Sequence, residues 1–354
     1  MARIQNLVYI LICFCVVLMG EGQKIYRGYV TLGLSGGGMH YQGDLDDNGF
    51  DFWNVFVQGN TNNVGNPFRL IRPQVGVQSA FYFHPHLFFG LAFHQGWIGA
   101  DDGNATFQER VIRNLHFRSP ITEGAFWIGY HFRSRLNREL RFRPRVNPWI
   151  ATGIALFHFN PQAKPDPEWV KRDQQLGGRF GFQTNQWVDL QPLGTEGQYL
   201  GLPDYPAPYK RTQLAIPIGG GIDFFLAPRW QLTLYAMVRK TFTDYLDDVS
   251  NFYYPDPILL LQSGNSKAVF FSDRSLYSDF GREFFLFLMG QISVSQLHTA
   301  YHVQQAQLQS QGEVTTFRGQ PNQNDWYAVY GITLSYILID PDKCPVFRFP
   351  KKKK

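Results

Sequence analysis

Between Tyr29 and Leu338 the chain repeatedly falls into a period of two, with apolar side chains alternating with polar or small ones. That is the spacing of a strand with two different faces. In the first stretch Val30, Leu32 and Leu34 alternate with Tyr29, Thr31, Gly33 and Ser35, and Gly36 to Gly38 predict a close backbone approach or a bulge before Tyr41. Arg72 to Phe83 puts Val75, Val77, Phe81 and Phe83 on one face. After the tight turn His84, Pro85 and His86, the residues Leu87, Phe89, Leu91 and Phe93 resume the apolar face. From Ile121 to Phe132, Phe126, Ile128, Tyr130 and Phe132 oppose Glu123, Trp127 and His131. Pro148 to Phe159 carries Trp149, Ala151, Ala155, Phe157 and Phe159 on its more apolar face, although Ile150, Ile154 and Leu156 occupy the other. Gln213 to Phe224 turns Leu214, Ile216, Ile218 and Ile222 outward, with a ladder irregularity expected at Pro217. Trp230, Leu232, Leu234, Ala236 and Val238 mark the seventh strand. Trp326, Ala328, Tyr330, Ile332, Leu334, Tyr336 and Leu338 mark the eighth.

Each segment is near the roughly 9 to 11 residues that cross an apolar layer obliquely. Long connections near 43 to 71, 98 to 120, 160 to 210 and 243 to 324 interleave with short ones near 84 to 86, 133 to 146 and 225 to 229. An even strand count with short turns at one end predicts an all-β fold: an eight-stranded antiparallel transmembrane outer-membrane β-barrel with long extracellular loops. A soluble barrel or sandwich shares the alternation. The amino end separates the two: Arg3 precedes an apolar run from Leu7 to Met19, then Gly20, Glu21, Gly22 and Gln23. This is the layout of a secretory signal peptide over residues 1–22, and the apolar run is too short for a spanning helix. Trp97, Trp149, Trp230 and Trp326 stand near strand ends, where an aromatic belt belongs.

Composition sharpens this reading. Gly 34, Tyr 18, Trp 8 and Phe 32 suit a two-faced aromatic sheet. The net charge of +5 is modest, and four of its positive charges are Lys351, Lys352, Lys353 and Lys354, so no nucleic-acid partner is expected. Cys13 and Cys15 depart with the signal, leaving Cys344 without an intramolecular disulfide partner. No cofactor is expected and no nucleophile and base stand at a spacing that predicts an enzyme; Ser275, beside Asp273 and Arg274, is read as a loop residue. His84 and His86 read as a polar turn rather than a metal site.

The polar face holds Arg72, Gln74, Gln78, His94, Glu123, His131, Gln231, Arg239 and Thr333. In a narrow barrel these are expected to form a plug of side chains, with Glu123 paired to Arg72 or Arg239. Asp44, Asp46 and Asp47, Asp101 and Asp102, and Asp244, Asp247 and Asp248 follow strand ends. They lack the spacing of a calcium loop and are expected to form a hydrated rim that could meet another protein. The long intervals are expected to fold over the opening or dock a partner, with a helix around Gly281 to Leu297 and a polar stretch from Gln304 to Thr316. After the barrel region 23–338, residues 339–354 form a basic tail expected in the periplasm, where Cys344 and the four lysines could contact partners.

Several segments, in order along the chain, resemble the PorG-like family, the outer-membrane β-barrel component of the Bacteroidota type IX secretion machinery. They include the glycine-rich stretch from Gly36 to Gly43 with Asp44 and Leu45, Arg113 to Arg118, Phe159 to Pro161, and Leu190 to Gln198. The longest runs from Arg239 to Ser250, followed by Asp273 to Ser275 and Asn324 to Tyr327. The resemblance implies a non-enzymatic role in protein secretion. It would anchor or assemble the complex with a periplasmic ring of a PorK-like lipoprotein and a PorN-like protein, while the barrel wall meets outer-membrane lipid. A general structural barrel or a narrow porin is the alternative.

Overall fold

The computed structural model describes residues 29–45, 71–105, 108–133, 145–262, 266–274, 286–287, 290–293, 295–297, 299, 318–321 and 323–338. Its strands are β1 (Tyr29–Gln42), β2 (Arg72–Tyr82), β3 (Leu87–Asp101), β4 (His116–His131), β5 (Val146–Phe159), β6 (Gln162–Ala163), β7 (Val188–Asp189), β8 (Thr212–Ala227), β9 (Trp230–Thr241) and β10 (Trp326–Ile337). The eight long strands run antiparallel in the order β3-β2-β1-β10-β9-β8-β5-β4, and pairing of β3 with β4 closes the ring. Closure leaves no unpaired sheet edge among these eight, which an apolar solvent would penalise. The short β6 and β7 continue the sheet beyond β4 on the long-loop side.

The two faces are inverted relative to a soluble protein. Leu34 is 72% exposed and Val75 65%, in company with Leu91, Phe93, Phe126, Ile154, Leu214, Ile218 and Leu334 on the outer wall. Inside, Glu123, Arg239 and His94 have no exposed surface. A soluble barrel turns its apolar face inward, so this is a wall built for lipid. Trp97 and Trp230 point outward near strand ends, as an aromatic belt requires.

Several expectations need correction, while at the β1 glycines one of the two expected alternatives holds. On β5 the outer residues are Ile150, Ile154 and Leu156, whereas Trp149, Ala151, Ala155, Phe157 and Phe159 are buried inside. The interior of a narrow barrel must be filled by side chains, so aromatic residues occupy it too, and Trp149 is not part of the outer belt. The glycines of β1 make no bulge: its register with β2 and β10 continues from Gly36 through Gly38. A Cβ at Gly37 would lie 2.1 Å from the Tyr330 carbonyl oxygen, so glycine there permits close approach. The connection expected over 98–120 is shorter, because β3 runs to Asp101 and β4 starts at His116. The irregularity at Pro217 does occur: the ladder from β5 to β8 runs to Thr152 and Ile218 and resumes at Ala155 and Ala215. Finally, the aspartates do not form a hydrated rim, as described below.

Above the long-loop mouth a second apolar core forms from loop segments. Among the described residues the loop α-helices are α1 (Gln108–Arg113), α2 (Pro167–Gln175), α3 (Pro257–Gln262) and α4 (Ser266–Ser272), and further helical residues lie at 286–287, 295–297 and 299. Asp166 caps α2 by accepting from the Glu168 N–H, which meets one of the otherwise unpaired first-turn donors. Trp169 and Val170 from α2, Phe180 and Phe182, and Phe270 and Phe271 from α4 pack into one cluster. Trp169 meets Phe270 edge-on at 4.3 Å between ring centres. Asp173 fastens the chain below α2 by accepting from the Phe180 and Phe182 amides at 2.8 and 2.9 Å. Within the candidate helix Gly281 to Leu297 the described residues 286–287 and 295–297 are helical but Gly290 to Ile292 form a turn, so no single helix runs through it, and Ser275 and the stretch Gln304 to Thr316 fall wholly outside the described residues.

Candidate functional site

The barrel interior is organised around one ion pair. Alternation on β4 and β9 aims Glu123 and Arg239 inward, and the closed ring brings them together from 116 residues apart in sequence. Arg239 grips the carboxylate with two bonds, Nε to Oε2 at 3.0 Å and Nη2 to Oε1 at 2.7 Å. Tyr327 on β10 donates its hydroxyl to Oε2 at 2.6 Å, and His94 Nδ1 on β3 stands 3.4 Å from Oε1. Gln78 lies 3.1 Å from the other ring nitrogen of His94, and Gln74 donates to the Tyr235 hydroxyl at 2.9 Å. A buried pair holds only when both charges find further bonds, and here the carboxylate has them from three strands.

A second layer lies toward the short-turn end. Asp223 on β8 accepts from Thr233 Oγ1 at 2.7 Å and from Trp149 Nε1 at 3.2 Å, and lies 2.9 Å from His131 Nε2. Below it Tyr29, Tyr82 and Phe88 stack in series, 4.4 and 5.3 Å between centres. The space left among these side chains, bounded by Gln78, Trp127, Trp149, Asp223 and Thr233, is about 30 Å³. That is room for about one water molecule.

A third group joins the barrel mouth to the folded loops. Tyr41, near the end of β1, donates to Asp247 at 2.7 Å and to Asp325 at 3.1 Å. Arg113, from α1, holds both oxygens of Asp102 at 2.6 and 2.8 Å and donates to the carbonyls of Arg318 and Asp44. Arg318 pairs with Glu196 and donates to the Asp248 and Ser272 carbonyls. Glu196 in turn accepts from the amides of Ser250 and Asn251 at 2.9 and 3.0 Å. Asp248 accepts from Thr195 and, at 2.6 Å, from the Tyr209 hydroxyl.

Seven buried carboxylates, Asp44, Asp102, Glu196, Asp244, Asp247, Asp248 and Asp325, meet there against the buried guanidiniums of Arg113 and Arg318. Protons make up part of the difference. Burial, and then the Asp44 charge, push Asp244 up to about 8. Ser250 softens that shift, although neither Asp244 oxygen meets hydrogen-bond geometry. Burial raises Asp248 to about 7 against the pull of Arg318, and raises Asp44 to about 6 against that of the Gln320 amide and Arg113. Asp247 and Asp325 are also driven upward, first by burial and then by neighbouring carboxylates. Among the described residues, no three acidic, histidine or cysteine side chains are arranged to hold a metal ion.

Of the residues singled out from the sequence, His94, Glu123 and Arg239 therefore meet, whereas Arg72, the first residue of β2, is exposed and outside the network. Arg239 is buried at inward parity on β9 and its guanidinium reaches Glu123, whereas Arg72 opens β2 with its side chain exposed. Asp44, Asp244, Asp247 and Asp248 are buried rather than presented to solvent or a partner. Cys344 and Lys351 to Lys354 lie outside the described residues. Asp223, Tyr235, Tyr327, Arg318 and Glu196 were not read as site residues. Asp223 had a signal, standing between Ile222 and Phe224 at the inward parity of β8; Arg318 had none.

Fold and interior together define an eight-stranded membrane β-barrel with a side-chain-filled lumen and a folded cap. No known protein family and no curated protein matches the chain. Among solved structures it is similar to the N-terminal β-barrel domain of Pseudomonas aeruginosa OprF, at 7% identity and a TM-score of 0.26, covering 62% of this chain and 88% of that one. Neisserial surface protein A matches at 7% identity and a TM-score of 0.30, with the same coverage of 62% and 88%. Ail, the attachment invasion locus protein of Yersinia pestis, matches at 9% and 0.28, over 61% and 88% of the two chains. The superpositions are loose, and the fold rests on the strand pairings themselves.

Proposed function

We propose that the chain is an outer-membrane barrel that anchors and assembles a protein-secretion complex, and neither catalyses a reaction nor conducts solutes. The observation that carries the structural half of this reading is the interior packed with bonded side chains, the Glu123–Arg239 pair in one layer and Asp223 with Thr233, Trp149 and His131 in another, beside which lies a cavity of about 30 Å³. A barrel that spends its interior on its own side chains has its outer wall, turns and loops left for work. The outer-membrane location is supported by the apolar wall, since closed barrels and helices are the structures that satisfy their backbone in lipid. The secretion pathway is supported by the resemblance to the PorG-like family, which also suggests the partners, a PorK-like lipoprotein and a PorN-like periplasmic ring protein.

Crosslinking in native membranes followed by blue-native separation tests this. Recovery of the barrel with periplasmic ring proteins is the expected result. An isolated barrel that conducts solutes after reconstitution would replace the proposal with a narrow porin, and an isolated non-conducting barrel would reduce it to a structural role.

A further inference from the structure

The outer wall carries an unabsorbed pair of cations on its long-loop side. On the outer face shared by β3 and β4, Phe126 stands opposite Leu91, Gly124 opposite Phe93, Thr122 opposite Gln95, Pro120 opposite Trp97 and Arg118 opposite Gly99. The column thus passes from apolar residues to the belt tryptophan and then to a guanidinium, two residues or roughly 7 Å along the strand beyond Pro120. Belt tryptophans sit at headgroup level, so Arg118 is held where lipid phosphates lie.

Arg118 does not stand alone. Its guanidinium lies 4.0 Å from the centre of the Trp187 ring, and the Lys164 ammonium lies 5.0 Å from the same ring. Two cations on one indole repel each other, and the ring's attraction offsets only part of that. Among the described residues neither is paired with a carboxylate. Arg118 donates from Nε to Gln162 at 3.1 Å, Lys164 donates to Asn185 at 3.3 Å, and the nearby Asp189 is occupied by Asn160 and Gln162. The guanidinium thus keeps its terminal nitrogens for a bidentate oxyanion. On the opposite wall a single cation stands on an indole in a comparable place, the Lys240 ammonium 4.8 Å over Trp326 at the head of the outer column of Val238 and Leu234.

We propose that Arg118 and Lys164, carried on Trp187, bind the phosphorylated headgroup of a lipid in the leaflet on the long-loop side. This rests on the membrane reading above. The chemistry needed is a phosphate monoester or diester tethered to an acyl body, because the site lies just beyond the apolar wall that the acyl chains would cover.

The test uses the full chain in phosphatidylcholine nanodiscs doped with diphosphorylated lipid A or with its dephosphorylated counterpart. Native mass spectrometry reads the lipid retained per chain, and heat-dependent gel migration reports barrel folding separately. Phosphorylated lipid A is expected to stay bound, and Arg118→Gln with Lys164→Gln is expected to cut its retention about 25-fold, on the order of five-fold per cation. Either single replacement covers the case in which the double variant misfolds, and each should lose part of the effect. Lys171→Gln, an exposed helix lysine, should change nothing. Equal retention of both lipids, an unchanged double variant, or an equal loss on Lys171→Gln would overturn the proposal. So would displacement by millimolar inorganic phosphate, which would mark a free-anion site. A chain that folds but does not enter the nanodisc would overturn the membrane reading and this proposal with it.

Discussion

The barrel interior and the cap junction both bury charge, and they neutralise it differently. Inside the wall, Glu123 meets one guanidinium and two further donors with both oxygens engaged, and Asp223 meets Thr233, Trp149 and His131. At the mouth, seven carboxylates share two buried arginines and several are driven to hold protons. The difference follows from surroundings. A pair at membrane depth has no water to turn to and must be complete. A junction outside the lipid can exchange protons with solvent, so its balance moves with pH. The barrel is therefore expected to be the rigid member and the cap the adjustable one.

The interior pair should break hardest. Arg239→Ala leaves Glu123 buried and unpaired and is expected to cost about 3 to 5 kcal/mol, read as a lowered unfolding midpoint in detergent micelles. Glu123→Gln combined with Arg239→Met should cost less than Arg239→Ala alone, because neither charge is then left behind.

The wall comes next. Leu234 is 40% exposed on the outer face while its neighbour Thr233 is buried inside. Leu234→Arg near mid-depth should cost about 2 to 4 kcal/mol, and Thr233→Ser should be tolerated. Heat-dependent gel migration of the two variants checks this, and equal tolerance of both would contradict the assignment of faces.

At the cap a smaller and local effect is expected. Arg318→Ala strands Glu196 and should lower the free energy of local opening by about 1 to 3 kcal/mol. Hydrogen exchange should speed up at the amides of Ser250 and Asn251, which Glu196 holds, and stay unchanged in β3 and β4.

The gentlest perturbation is pH. Asp44, Asp244 and Asp248 have folded values of about 6, 8 and 7 against an ordinary 3.8. Raised values mean that the closed cap binds protons that an opened cap releases. Their stabilisation is complete below about 4 and is lost as pH rises through these values toward 8. Exchange at the amides of Leu246 and Gln320, which Asp325 and Asp44 hold, should therefore quicken from pH 5 to pH 9, while Tyr209 and Arg113 remain protonated. An unchanged or slower rate, after correction for intrinsic exchange, would contradict this.

How much of this was legible in the sequence depended on what each face touches. On β2, β3, β4, β9 and β10 lipid and lumen demand different side chains, so a period of two names both faces. On β5 the lumen is filled by Trp149, Phe157 and Phe159, both faces are apolar, and the pattern alone chose wrongly. Glu123 and Arg239 stood out as charges at inward parity, but Arg72 shared that parity, and the register that excludes it comes only with closure. The aspartates read as solvated because nothing local tells that Arg113 and Arg318, from separate loops, will fold over them.

The central claim is a lumen sealed by its own side chains. Reconstitution of the chain into a planar lipid bilayer at neutral pH, with current recorded under applied voltage, tests it most directly. The sealed interior predicts insertion without conductance above the bare bilayer, whereas steady stepwise currents that scale with salt concentration would contradict it.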